Sequence, residues 1–170
     1  LRPGRVALVT GPSGSGKSSV LRALTQRMRR AGGPRSEVVV ASRLKGEDRS
    51  VVEVLDQPWS RAMATLARTG LADAELIVRR PAELSDGQRA RLAFAVAMAR
   101  AENFAAGSWG GRVTVIVDEF ASTLDRPAAR LLCRAVRRWM RRVSRVRLIV
   151  ASAHGDLESW LRPDLVWRGR

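Results

Sequence analysis

Gly11-Pro-Ser-Gly-Ser-Gly-Lys-Ser18 decides the fold of this chain. The stretch follows the pattern G-x-x-x-x-G-K-[ST], and its flanks fit that pattern's use. Val6-Ala-Leu-Val9 leads in as a short apolar run suited to a buried strand. A helical pattern leads out, with Val20, Leu21, Leu24 and Met28 on one face. Gly11, Gly14 and Gly16 let the backbone turn tightly and aim its N–H groups inward, with Ser13, Ser15 and Ser19 in the same phosphate-binding stretch. The helix N-terminus adds partial positive charge. Lys17 would reach β- and γ-phosphates, and the Ser18 hydroxyl would take a place on Mg²⁺. The stretch implies binding of a nucleoside triphosphate.

A length of 170 residues with 45% hydrophobic content suits one domain, residues 1–170, with its own core. No apolar run approaches the roughly 20 residues of a membrane-spanning helix, so the chain is not expected to be membrane-embedded itself, and no membrane partner is expected. The start, Leu1-Arg-Pro-Gly, lacks a signal-peptide layout. Cys133 is the sole cysteine, which leaves no disulfide framework and no cysteine metal cluster. A reducing cytoplasm, bacterial or of a phage-infected host cell, is the expected home. The net charge is +15, and Lys17 and Lys45 are the only lysines, so arginine carries nearly all of it. Arginine forks bind phosphates bidentately, and a basic surface draws polyanions. A GC-rich genome would explain the arginine-to-lysine ratio but not the excess over 16 acidic residues. Nucleic acid, DNA ahead of RNA, is the expected partner.

Further along, a helix is predicted from Lys17 to Ala31, stopped by Gly32-Gly33. Glu37 to Ala41 reads as a second buried strand, and Arg43 to Arg49 as an exposed loop. Ser50-Val-Val-Glu53 is a capping-box pattern opening a short helix that Pro58 ends. A second helix from about Ser60 to Arg68 stops at Gly70. Together they form a short helical insertion over about 50–83. Leu84-Ser-Asp-Gly-Gln88 heads a helix with Leu92, Ala93, Val96 and Ala97 on one face, ending near Glu102; Ser85 and Gln88 form its capping box. Residues 103–111 read as a flexible connection.

Val113-Thr-Val-Ile-Val-Asp-Glu119 is an apolar strand running into two carboxylates, and strand ends are where α/β folds place their chemistry. Asp118 is suited to hold Mg²⁺ through its water shell, and Glu119 to activate an attacking water. Pro127 suits the first turn of a further helix. Leu131, Leu132, Ala135, Val136, Trp139 and Met140 make its apolar face; Arg130, Arg134, Arg137, Arg138, Arg141 and Arg142 make the other. That basic face is either a nucleic-acid surface or a solvated one. Val146 to Ala151 is another buried strand ending at Ser152-Ala-His154, with the only histidine. Leu157 to Leu161 is a short helix and Leu165-Val-Trp167 an edge strand. Alternation of strands and helices predicts an α/β fold, a mainly parallel sheet flanked by helices.

In this order, the phosphate loop, Leu84-Ser-Asp-Gly-Gln88, Val115-Ile-Val-Asp-Glu119, Ser122-Thr-Leu-Asp125 and His154 resemble the ATP-binding cassette (ABC) ATPases. The resemblance implies ATP and Mg²⁺ as cofactors, catalysis by Lys17, Asp118, Glu119 and His154, and an ATP-dependent homodimer. Ser85, Gly87 and Gln88 would form the signature that closes on ATP held by a second protomer. Asp125 would lie in the loop crossing that interface, and His154 would contact the γ-phosphate. Gln57 is similar by position to the family's metal-binding glutamine. Three features depart from the family. Asp86 stands in a glycine's place and brings negative charge toward a phosphate site. Only ten residues precede Gly11, so the N-terminal β-subdomain and its adenine-stacking aromatic are expected to be missing. The insertion is short for a transporter's helical subdomain, so a transport role is not expected. Leu71-Ala-Asp-Ala-Glu-Leu76, with the signature and Asp118-Glu-Phe-Ala-Ser-Thr-Leu-Asp-Arg126, is similar to a soluble, non-transporter subgroup whose members stand alone or are joined to acetyltransferase domains. A second resemblance is to phage P-loop kinases that phosphorylate 5-hydroxymethyluracil in DNA. The sequence therefore leaves two activities open: a soluble ATPase acting with nucleic acid, or a kinase acting on a hydroxylated DNA base.

Overall fold

Strand β1 (Val6–Thr10) alternates its side chains between two covered faces, Val6 and Leu8 on one side and Ala7 and Val9 on the other. Burial on both faces belongs to a parallel sheet between helices. The computed structural model, which describes residues 1–42, 44, 46–107 and 111–169, has this architecture. Strands β2 (Ser36–Val40), β3 (Arg112–Val117), β4 (Val146–Ser152) and β5 (Leu165–Arg168) join β1 in a parallel sheet of order β2-β3-β4-β1-β5. Helices α4 (Asp86–Ala106), α5 (Arg126–Met140) and α6 (Leu157–Leu161) cover the Val6, Val115 and Leu148 face. Helix α1 (Lys17–Ala31) covers the Ala7, Ile116 and Ile149 face, burying Leu21 and packing Met28 against it.

Asp164 fixes β5 beside β1. Its carboxylate accepts the Val6 N–H at 2.8 Å and the Arg5 guanidinium at 2.6 Å, with Arg137 at 3.6 Å. Burial alone would raise this carboxyl's pKa, but the Val6 N–H and the two guanidinium groups outweigh it and hold it below the ordinary value. The pair therefore stabilises the fold above the ordinary carboxylate range, and that contribution is lost as pH falls through the lowered pKa.

Between β2 and α4 the chain forms a second apolar cluster. Val51, Val54 and Leu55 pack with Ala62 and Leu66 of α2 (Trp59–Thr69) and with Leu76 and Ile77 of α3 (Ala74–Ile77). Leu92, Ala95, Val96 and Ala99 of α4 close that cluster, while Ala93, Phe94, Ala97 and Met98 are buried on the opposite side of the helix. Helix α4 is thus buried nearly all round along this stretch rather than on one face.

Several elements differ from the sequence expectation. β2 is an edge strand with Glu37 exposed, not a fully buried one. The helix opened by Ser50 is a single 3-10 turn, Glu53–Leu55, and it ends at Asp56 (φ 50) rather than at Pro58. Only half of the capping box forms: the Ser50 N–H and hydroxyl both donate to the Glu53 carboxylate, while the turn itself starts after Val52, with no side-chain cap. Helix α3 and a 3-10 turn at Pro81–Glu83 are additions. Helix α4 continues past Glu102 to Ala106, since no glycine or proline intervenes before Gly107. On α5, Leu131 is 64% exposed, and Cys133 takes its place in the core. Of the expected loop and connection, Arg43, Lys45 and residues 108–110 lie outside the described residues.

Glu102 ties the second cluster to the sheet. Its carboxylate accepts the buried Trp139 indole N–H at 2.8 Å, Arg68 of α2 at 3.1 Å and the Gln57 amide at 3.3 Å. Glu102→Ala strands the indole donor in the core, which should destabilise the protein by about 1–3 kcal/mol. Urea unfolding checks this: the midpoint should fall with the slope unchanged. A wild-type midpoint would mean that the indole does not depend on Glu102.

Candidate phosphate-binding site

The parallel register brings the C-terminal ends of three strands to one edge, with Thr10 beside Ser152 and Val117 beside Val150. The segments leaving those ends enclose a cavity of 390 Å³. Its walls are Ser13, Gly14, Gly16, Lys17, Ser18 and Ser19 from the first loop, Asp118, Glu119 and Ser122 after β3, and Ser152 and Ala153 after β4. Among the expected residues, the loop and the two carboxylates are therefore together.

The loop's shape comes from glycines. Gly16 at φ 81 turns the chain into α1, a conformation that costs little only for glycine. Gly11 has φ 151, and a Cβ there would lie 2.7 Å from the Ser15 hydroxyl and 2.9 Å from the Gly169 carbonyl. Lys17 folds back to donate to the carbonyls of Gly11 at 2.9 Å and Pro12 at 2.6 Å, with the Ser15 hydroxyl at 3.5 Å. It staples the loop while remaining in the cavity wall.

The carboxylates sit on a strained turn. Glu119 (φ 51) and Ala121 (φ 57) are left-handed without being glycine, at about 1–2 kcal/mol each. The surroundings hold them there. The Phe120 N–H donates to the Ala151 carbonyl at 2.7 Å, and the Ser122 N–H to the Glu119 carbonyl at 3.1 Å. The buried Phe120 ring meets Phe94 edge-on at 5.7 Å, and Phe94 meets Trp139 at 6.2 Å. Such over-determined strain clusters at functional turns. Asp118 accepts the Glu119 N–H at 3.0 Å.

A second locus lies apart from the cavity wall. Ser85 caps α4, its hydroxyl accepting the Gln88 N–H at 3.3 Å while the Gln88 side chain accepts the Ser85 N–H at 2.8 Å. Gly87 faces the Ser122–Asp125 loop, with its would-be Cβ 3.5 Å from the Thr123 carbonyl. Asp125 caps α5 through the Ala128 N–H at 2.7 Å. Asp86 begins α4 in ordinary helical conformation, so this position needs no glycine, and Arg89 pairs with its carboxylate at 2.9 Å. The charge expected to oppose phosphate is thereby partnered.

His154 is half-buried and follows the cavity-lining Ser152 and Ala153, its N–H donating to the Ser152 hydroxyl at 3.3 Å. Gln57 lies elsewhere. Its amide is held between Thr65 at 3.2 Å and Glu102 at 3.3 Å in the second cluster, and it does not line the cavity. Ser122, Ser152 and Gly169 are site residues to which sequence reasoning assigns no role. Gly169 in particular touches the loop from the far end of the chain, which no local pattern signals.

A polar cavity lined by a lysine, the loop's serines and glycines and two carboxylates fits a nucleotide's phosphates with their metal. Ser18 and Asp118 share it, and no group of three or more His, Cys, Asp or Glu side chains forms a metal site among the described residues. So sparse a donor set fits Mg²⁺, which takes one or two protein ligands and completes its shell with phosphate oxygens and water.

Fold and site together define a P-loop nucleotide-binding protein. The chain belongs to the family described as ABC transporter, whose sequence profile matches residues 1–106. As a member it binds ATP with Mg²⁺ and hydrolyses it. The matched stretch contains the phosphate loop and the signature and ends before Asp118, Glu119, Asp125 and His154. No curated protein sequence matches the chain. Among solved structures, it resembles the dimeric ATP-binding cassette MJ0796 in a post-hydrolysis state with ADP and Pi, at TM-score 0.71 and 14% identity over 100% of this chain and 83% of that one. A bacterial Atm1-family ABC exporter with ATP bound matches at TM-score 0.69 and 16% identity, over 99% of this chain and 32% of that one. The cbiO1 protein of Clostridium perfringens, part of the transporter complex cbiONQ, matches at 0.64 and 18%, over 99% of this chain and 74% of that one. At these identities the likeness shows the fold alone.

Gly169→Ala tests the loop's packing. A Cβ at Gly169 would meet the Ser15 hydroxyl at 2.8 Å, its carbonyl at 3.0 Å and its Cβ at 3.1 Å, so the hydroxyl must turn and Ser15 must give slightly. ATP turnover should fall, by well under the roughly hundredfold that a full ångström of misplacement costs, while the thermal midpoint changes little. Unchanged turnover would mean that the C-terminal segment does not set the loop.

Proposed function

We propose that the chain acts as a single-domain, non-transporter ATPase that closes as an ATP-bound pair and works with nucleic acid. The observation that carries the ATPase reading is the meeting of the phosphate loop with Asp118 and Glu119 in one polar cavity. In this reading Lys17 and the loop hold the phosphates, and Ser18 and Asp118 are the residues that would hold Mg²⁺, which would supply neutralising charge. Glu119 takes the proton of the attacking water, and His154 faces the γ-phosphate from the end of β4. Ser85, Gly87, Gln88 and Asp125 gather away from the cavity of their own chain. A second copy presenting them would complete the site, as the family resemblance implies and as the dimeric state of MJ0796 supports. Gln57 has no part in this scheme. Among the described residues no helix is long and apolar enough to cross a membrane.

Nucleic acid enters through α5. Arg130, Arg134, Arg138, Arg141 and Arg142 are exposed, and none has a carboxylate partner among the described residues. Arg138 and Arg142 also line a groove of 290 Å³ with Arg68 of α2. A row of unpaired guanidinium groups suits a phosphate backbone.

Incubation with γ-labelled ATP, with and without DNA carrying 5-hydroxymethyluracil, tests the activity. Label released only as free phosphate supports the ATPase, and label in DNA would replace this reading with a phosphotransferase. Glu119→Gln should retain ATP binding, slow hydrolysis by roughly two to four orders of magnitude and accumulate an ATP-bound dimer on gel filtration. Unchanged hydrolysis would move the base elsewhere.

Replacing Arg134, Arg138 and Arg141 together with Gln tests the nucleic-acid surface. Duplex binding should weaken, and its slope against salt should flatten by about one unit per lost phosphate contact. ATP affinity should stay at the wild-type value. An unaltered slope would retire α5 as the binding surface.

A further inference from the structure

The phosphate cavity has no aromatic side chain in its wall, yet a nucleotide brings a base that needs a surface. The chain has no tyrosine, five tryptophans and three phenylalanines. Phe94, Phe120 and Trp139 are buried, Phe104 packs against the core, and Trp160 lies under the Arg126 guanidinium. Among the described residues, that leaves Trp59 and Trp167 with exposed rings, at 62% and 42%. Trp59 starts α2 in a segment that contributes nothing to the cavity.

Trp167 is placed quite differently. It is in register with Val9 on β1, the strand that runs directly into the phosphate loop. Registered residues of parallel strands share a sheet face, and Val9 packs with Leu21 of α1. Trp167 therefore lies on the α1 side of the sheet, the side of the helix whose N-terminus carries Lys17 and Ser18. Two residues later the chain touches the loop. The Gly169 N–H donates to the Thr10 carbonyl at 2.8 Å, and Gly169 packs closely on Ser15, where a Cβ would press on the serine. Arg168 between them is fixed by both carboxylate oxygens of Glu158 at 2.8 Å. The strand holding the ring is thus anchored before any nucleotide arrives.

We propose that Trp167 is the stacking platform for the base of the nucleotide whose phosphates the 11–18 loop binds. The proposal rests on the phosphate-loop reading above. It assigns base contact to the last strand of the sheet, adjoining the loop. An indole face stacks on any base, so affinity comes from the π-surface rather than from hydrogen-bond readout.

Titrations with Mg-ATP and with inorganic tripolyphosphate plus Mg²⁺ separate the two parts of the site. Trp167→Ala should weaken ATP binding by roughly tenfold and leave tripolyphosphate binding unchanged, while Trp167→Phe keeps most of the ATP affinity. Equal loss of both ligands in Trp167→Ala would overturn the proposal, because the indole would then only support the loop. Unchanged ATP affinity in that variant would overturn it too, since the base would lie elsewhere. Lys17→Ala should weaken both ligands; if it weakens neither, the phosphate-loop reading falls and the proposal with it.

Discussion

The site depends on one constraint: β1, β4 and β3 pair in parallel so that their C-terminal ends fall level. Thr10, Ser152 and Val117 come to one edge through the backbone hydrogen bonds of that pairing. A one-residue slip of β1 would turn every side chain to the other face, setting Val6 and Leu8 against α1 and Ala7 and Val9 against the opposite layer. Because both faces are apolar and covered, by α1 on one side and by α4, α5 and α6 on the other, the register is held from both sides. The loop, the carboxylates and the Ser152–His154 segment need no direct contacts among themselves to converge.

A chain of packed side chains extends from that edge into the rest of the fold. Phe120 anchors the strained Glu119 turn, Phe94 meets it edge-on, Trp139 meets Phe94, and Glu102 accepts the indole N–H. From Glu102 the contacts pass to Arg68 and Gln57 in the second apolar cluster. The left-handed backbone at Glu119 is thus held by buried contacts on one side and left exposed on the other. Gln57, which resembles a metal-binding glutamine by position in sequence, belongs to this support and not to the cavity.

What the sequence made legible was local. The phosphate loop, the span of α1, the Ser85–Gln88 capping box and the stop at Gly70 are each written within a few residues, and the structure has each of them. Less legible were features set by distant partners. Leu131 and Cys133 both suit a helix face, and only the packing against α6 and the sheet decides that Cys133 is buried. β2 reads as apolar whether it is central or an edge, because composition does not encode neighbour order. Gly169 against Ser15 and Glu102 against Trp139 join residues far apart in the chain, so no motif announces them.

The charge of +15 divides in the same way between local and distant explanations. Many arginines have structural employment: Arg5 and Arg137 on Asp164, Arg68 on Glu102, Arg89 on Asp86, Arg126 on Asp156 and Arg168 on Glu158. Genomic bias toward arginine would scatter the remainder over the surface. Part of the remainder does lie elsewhere, as at Arg22, Arg27, Arg29 and Arg30 of α1, but Arg130, Arg134 and Arg138, with Arg141 and Arg142 just past the helix, share one face of α5 and have no carboxylate ion pair among the described residues. Adjacent like charges on one helix repel, so such a face lowers the stability of the isolated chain. A polyanion across that face would remove the repulsion, which a scattered, solvated set of arginines would not need. The proposed nucleic-acid contact therefore rests on the grouping of charge on α5 rather than on the total.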